Sequence, residues 1–256
     1  MNFLLLTSIE FKKIRHSKIL LILAAATIIL WLPSIFNASI NFNMQAEGIS
    51  PENNFFIQGF MGMSWFMFPA SMVVGTVLLS QTERTNNGIL KMLVLPVSTM
   101  KLCLAKFTVL LTLAATQILM MTGMYYTSAI ICSKTQDYNF ILPALFILKE
   151  ISLLFLSAIP MITFFWMLSV CIQTPGFSII TGLVSIVPSV LVINTKAWLA
   201  YPMSYQFYVI TSEYGKLAAN LDTNQIKLIP WIPVAIVITI ICLSISCLCF
   251  GHAERK

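Results

Sequence analysis

The sequence predicts an all-α polytopic membrane protein: six transmembrane helices, an interfacial helix before the first, a short cytoplasmic helix between the second and third, and a long outer segment before the last. Three observations predict it. Of 256 residues, 58% are hydrophobic and only 9% are charged, against roughly 25% charged in a soluble domain. The charges are also clustered, so that 19–46, 53–82, 107–133, 151–195 and 228–253 carry none. Each interval exceeds the roughly 20 residues that cross a 30 Å hydrocarbon layer. The fourth is long enough for two crossings, joined at Gln173-Thr174-Pro175-Gly176, where proline and glycine favour a turn.

The third observation is the division of Lys and Arg. An even number of crossings puts both termini on one side. That side holds Lys12, Lys13, Arg15, Lys18, Arg84, Lys91, Lys101, Lys106, Arg255 and Lys256, and the other holds Lys134, Lys149, Lys196, Lys216 and Lys227. Cytoplasmic loops retain basic residues, so both ends read as cytoplasmic. The net charge of +6 is then assigned to orientation and to contact with anionic lipid, with no compact basic patch to suggest nucleic acid.

Residues 1–18 place Phe3, Leu4, Leu5 and Leu6 ahead of their basic cluster, the reverse of a secretory signal. They read either as an interfacial helix under the membrane, with Glu10, Lys13 and Arg15 facing water or headgroups, or as a simple basic anchor. The spans are placed at about 19–36, 60–79, 102–131, 143–172, 178–193 and 231–250. A short acidic loop with Glu47, Pro51 and Glu52 follows the first. Pro69 removes a backbone donor from the second and predicts a kink or a broken ladder there. At 1.5 Å per residue the third would measure about 45 Å, so it tilts or projects. Lys149 and Glu150 lie inside the membrane if the fourth helix begins at Pro143, and at the surface if it begins at Ile151. As helical neighbours they point about 100° apart, too far to pair simply.

The fifth span carries Ser178 and Gly182, and Thr181, Ser185 and Ser189, at intervals of four. Small residues so spaced let helices approach closely in lipid, which makes this stripe a candidate subunit interface, or a packing surface within one subunit. The largest outer segment is 195–229. On a helix, Trp198, Tyr201, Tyr205 and Tyr208 would share one stripe, although Pro202 strains it. The stripe is a candidate outer rim for an amphipathic or lipid-soluble substrate, or an aromatic belt at headgroup level. Six cysteines fall within or at the ends of spans, with only Cys132 near the outer face, so they read as small apolar packing residues.

The longest polar and basic interruption runs from Gln81 to Lys106. Glu83, Arg84, Asn86 and Asn87 open it, Ile89, Met92 and Leu93 fall three and four apart, and Pro96-Val97-Ser98 ends it. That pattern predicts an amphipathic helix of about three turns over 82–98. Its apolar stripe must enter either the headgroup zone or a groove on a partner, and the reading favours the partner.

No site for bond-making chemistry is nominated, whether catalytic, cofactor-binding or metal. Gly215-Lys216 lacks the earlier glycine of a phosphate cradle. His16 and His252 lie outside the spans, which removes an intramembrane histidine metal site or a Ser/His pair. An active transporter built on this chain would therefore draw its energy from another polypeptide. An intramembrane protease would need a histidine and acid pair that no span contains, whereas a channel or scaffold would work without nucleotide.

With these elements in place, the chain resembles the permeases of type 2 ABC exporters. The likeness lies in the N-terminal amphipathic helix, the six spans and the segment Glu83-Arg84-Thr85-Asn86-Asn87-Gly88-Ile89-Leu90-Lys91-Met92-Leu93-Val94-Leu95-Pro96-Val97-Ser98, with Lys106 downstream, and it implies that the outer segment 195–229 forms a helical hairpin before the last span. The resemblance implies that 82–98 is a coupling helix, with Glu83, Arg84, Gly88, Ile89, Lys91, Met92, Leu93 and Pro96 docking a cytoplasmic ABC ATPase. It further implies two copies of that ATPase, which would hold ATP and Mg, and a second permease, identical or homologous. The chain's length and short loops look most similar to the permeases of lantibiotic and bacitracin immunity systems of the bacterial cell membrane. By that likeness the cargo would be an antimicrobial peptide, with another peptide, a lipid-linked molecule or an ion as alternatives.

Overall fold

A computed structural model of the chain describes residues 3–15, 17–43, 48–84, 98–172, 174–217 and 228–253, and every element among them is helical. α1 (Phe3–Arg15) leads into α2 (Ile19–Phe36), the first crossing, and α3 (Ala38–Asn43) follows at its far end. The second crossing joins α4 (Pro51–Gly62), a π-helical turn (Met63–Met67) and α5 (Phe68–Arg84). α6 (Thr99–Thr135) and α7 (Ala144–Cys171) are the third and fourth, and α8 (Pro175–Ile186) with α9 (Ser189–Val192) makes the fifth. Two 3₁₀ turns (Lys196–Ala200 and Pro202–Ser204) and α10 (Tyr205–Leu217) precede the last crossing, α11 (Leu228–Ala253). Six helical stretches are long and apolar enough to span a bilayer.

Three features of the crossings refine the sequence expectation, each for a local reason. The second crossing begins at Pro51, not near 60. Ser50 is extended just before the helix, Pro51 fills the first position, where its missing N–H is harmless, and Glu52 sits in the first turn. The expected disturbance at Pro69 takes the form of the π-helical turn just ahead of it. The fifth crossing is interrupted at Val187-Pro188, because Pro188 has no N–H to continue the ladder of α8 and instead starts the short α9.

The second, third and fourth crossings form the buried middle, while α2, α8 and α11 lie outside and are mostly exposed. The core at the end away from the chain termini is aromatic: Trp31, Phe55, Phe56, Phe60, Tyr125 and Phe140 are all fully buried. Trp31 meets Phe60 edge-on at 5.7 Å between centroids. Gly59 makes this possible, since a Cβ there would lie 2.4 Å from the Trp31 ring. Deeper in the bundle, Ser71 Oγ donates to Gln117 Oε1 at 2.7 Å, both side chains buried, which ties α5 to α6 across the hydrocarbon layer.

Candidate functional site

At the end where both chain termini lie, α1 turns Leu6, Thr7, Glu10 and Ile14 inward, one face of a helix at spacings of three and four. α1 packs against α6, where Leu6 meets Leu102 and Ala105, with Phe250 of α11 closing the patch. In the centre is a buried ion pair. Lys106 Nζ donates to Glu10 Oε2 at 3.0 Å, and each residue is only 1% exposed. Lys13 Nζ donates to the other oxygen, Oε1, at 2.6 Å. The expectation that Glu10 faces water or headgroups is therefore overturned. Glu10 shares its face with Leu6 and Ile14, and burying that face carries the carboxylate inward. The same spacing was the signal by which Glu10 could have been placed, and sequence reasoning passed over it.

The predicted coupling segment, 82–98, precedes in the chain the helix that carries Lys106. Glu83 and Arg84 are the last two residues of α5, so the helix of the second crossing runs on into the start of 82–98. Gly88, Ile89, Lys91, Met92, Leu93 and Pro96 lie outside the described residues. The chain is described again from Ser98, extended just before α6, and Lys106 lies two turns into that helix.

At the opposite end, Glu150 is 1% exposed on α7, while Lys149 beside it is 67% exposed. The helix begins at Ala144, so both residues stand in its second turn. The two side chains do diverge, yet the lysine bends back to within 3.4 Å of Glu150 Oε1, which corrects the expectation that they cannot meet. Neither Glu150 oxygen has a hydrogen bond. Glu213 of α10, also nearly buried, is held at 2.7 Å by Lys216 one turn on.

The aromatic stripe is rearranged by its two 3₁₀ turns. Trp198 stacks on Tyr208 at 4.0 Å and 17°, and Tyr205 meets Trp198 edge-on at 6.2 Å. Trp231, which sequence reasoning assigned to the last span alone, joins the cluster 5.6 Å from Tyr205. Tyr201 turns away and donates to the Ser185 carbonyl. Burial pushes the Tyr205 phenol up to about 12 and raises Tyr201 and Tyr208 as well. The cluster is packed ring on ring, and a hollow of about 380 Å³ opens beside Tyr205 and Trp231, between α7 and α11.

In the fifth crossing, Ser178, Gly182 and Ser189 are buried inside their own chain. A Cβ at Gly182 would lie 2.7 Å from the Val73 side chain, so the close approach is to α5 of the same subunit. Thr181 and Ser185 are half-buried. The outward face instead carries Phe177, Ile180, Val184, Val187 and Leu191, an exposed apolar ridge.

Among the described residues no three His, Cys, Asp or Glu side chains converge as a metal centre. What the arrangement offers is mechanical. One end holds a charged clamp between α1 and α6, and the other holds packed aromatic rings and exposed apolar surface. No curated protein and no solved structure matches this chain. The sequence profile described as ABC-2 family transporter protein matches residues 6–189, more than two thirds of its length.

Proposed function

The chain belongs to the ABC-2 family of transporter proteins, a multi-pass membrane permease that works with an ABC ATPase, and from that premise we propose that it exports an antimicrobial peptide of the lantibiotic type. The profile match over residues 6–189 carries the permease part of the reading. In it, two copies of a cytoplasmic ATPase bind ATP and Mg and dock on the 82–98 segment of two permeases. Ile89, Met92 and Leu93 enter the ATPase groove, and each fully covered side chain contributes roughly 1.5 to 3 kcal/mol. Glu83 and Arg84, at the end of α5, place that segment in direct continuity with the second crossing. Closure of the ATPases on nucleotide then moves the spans attached to it.

The second permease packs on the ridge of Phe177, Ile180, Val184, Val187 and Leu191, since the small-residue stripe is occupied within the subunit. Both termini are cytoplasmic in this reading, and the aromatic cluster of Trp198, Tyr205, Tyr208 and Trp231 stands at the outer headgroup level of a bacterial cell membrane. The likeness in length and short loops to immunity permeases supports the peptide cargo.

The test is co-purification. Replacing Met92 and Leu93 together by Asp should abolish recovery of the ATPase encoded beside this chain, and undiminished recovery would remove the docking helix from the proposal. Cargo is read separately, by comparing the sensitivity of cells with and without the gene to a panel of lantibiotics. Equal sensitivity throughout would move the cargo to another class.

A further inference from the structure

The ion pair between Glu10 and Lys106 is the least expected feature of the bundle. Both members are 1% exposed, they meet at 3.0 Å, and they lie on helices that are not consecutive in the chain. Taking two charges out of water costs more than their attraction often returns, so a buried ion pair is weak grounds for stability. Its best-attested use is to fix register, because apolar neighbours can slide past one another and a desolvated charge cannot leave its partner. The surroundings allow such sliding. Leu6, Leu102, Ala105 and Phe250 are smooth apolar contacts, and Lys13 alone would keep Glu10 within its own helix.

Position along the chain gives that register a consequence. Lys106 stands two turns into the third crossing, just after the 82–98 segment, and Glu10 lies on the helix that runs into the first crossing at Ile19. We propose that Glu10 and Lys106 are positioning residues that pin α1 to the base of α6, so that a displacement delivered at 82–98 moves the first and third crossings as one body. The proposal rests on the docking reading given above. It adds a second output to that docking site: the pull reaches α2 through a charge pair as well as α5 and α6 through the chain.

The test uses the permease with its ATPase in lipid nanodiscs, followed by amide hydrogen exchange with and without ATP plus orthovanadate. Wild type should keep α1 equally protected in both states while exchange in 82–98 changes with the ATPase and nucleotide. The Glu10→Met/Lys106→Met variant replaces the pair by apolar side chains of similar length, so it should fold, as a cooperative melt would show. In it, α1 should lose protection when nucleotide is added, and ATP turnover should no longer respond to the permease. Lys106→Arg should restore the wild-type pattern. If 82–98 shows no change with ATPase and nucleotide in wild type, the docking reading falls. If 82–98 responds, yet α1 of the double Met variant follows wild type, the pin is overturned and the docking reading stands.

Discussion

Two carboxylates in this molecule are equally hidden, and their settings could hardly differ more. Glu10 and Glu150 are each 1% exposed. Glu10 has a lysine on each oxygen, one of them as buried as itself. Glu150 has a single lysine at 3.4 Å that is 67% exposed and makes no hydrogen bond to it. Burial alone therefore does not define a clamp. The end of the bundle nearer the chain termini is locked by charges that cannot leave, whereas the far end is closed by rings and by lysines that water or headgroups can draw away.

The sharpest way to break that contrast is to remove each lysine in turn and melt the purified protein in detergent. Lys106→Met leaves Glu10 buried with Lys13 on one oxygen, and breaking a buried pair in this way costs up to about 3–5 kcal/mol. Lys149→Met removes a mostly exposed partner and should cost under about 1 kcal/mol. Equal losses would show that the two ends are held alike. Between these extremes lies the aromatic core near the far end. Gly59→Ala would drive a methyl to within 2.4 Å of the Trp31 ring, so a loss of about 1–3 kcal/mol is expected, seen as a lower melting temperature and quenched or shifted tryptophan emission.

Another small effect concerns the loop before the fourth crossing. Tyr138 donates to Glu52 Oε2, and that hydrogen bond to a carboxylate, helped by burial, pushes its phenol up to about 12. A raised phenol favours the folded state below its ordinary value near 10 and ceases to do so as pH climbs towards 12. Tyr138→Phe should cost about 1 kcal/mol at neutral pH and flatten the loss of stability above pH 10. It should also remove one late step from the phenolate absorbance titration.

Much of this architecture was legible beforehand. Charge-free intervals longer than a bilayer is thick leave little choice but helices, and the Gln173–Gly176 turn divided the fourth interval because proline and glycine punctuate helices strongly. The start of the second crossing was missed although Ser50-Pro51-Glu52 is a good helix opening. Glu52, Asn53 and Asn54 read as a polar loop, and only tertiary packing shows Asn54 to be buried. The coupling segment was expected from Ile89, Met92 and Leu93 and from its Pro-Val-Ser ending, features local to the sequence. The Glu10–Lys106 pair was not, because hydrophobic periodicity reports which face is buried and says nothing of what faces it across the chain. The small-residue stripe was legible as a close-packing surface but not as to which helix it meets, and Val73 supplies the answer.

The hydrogen bond from Ser71 to Gln117 bears on how the protein is made. The second and third crossings are the two least apolar of the six, and a mid-helix glutamine entering lipid alone would bring an unsatisfied amide with it. Paired with Ser71, that amide has its oxygen satisfied, so these two segments are expected to leave the insertion machinery as a hairpin. Truncation after residue 84, which deprives the second crossing of its companion during biogenesis, should leave it slipping back into the aqueous phase, as carbonate extraction of the nascent fragment would record.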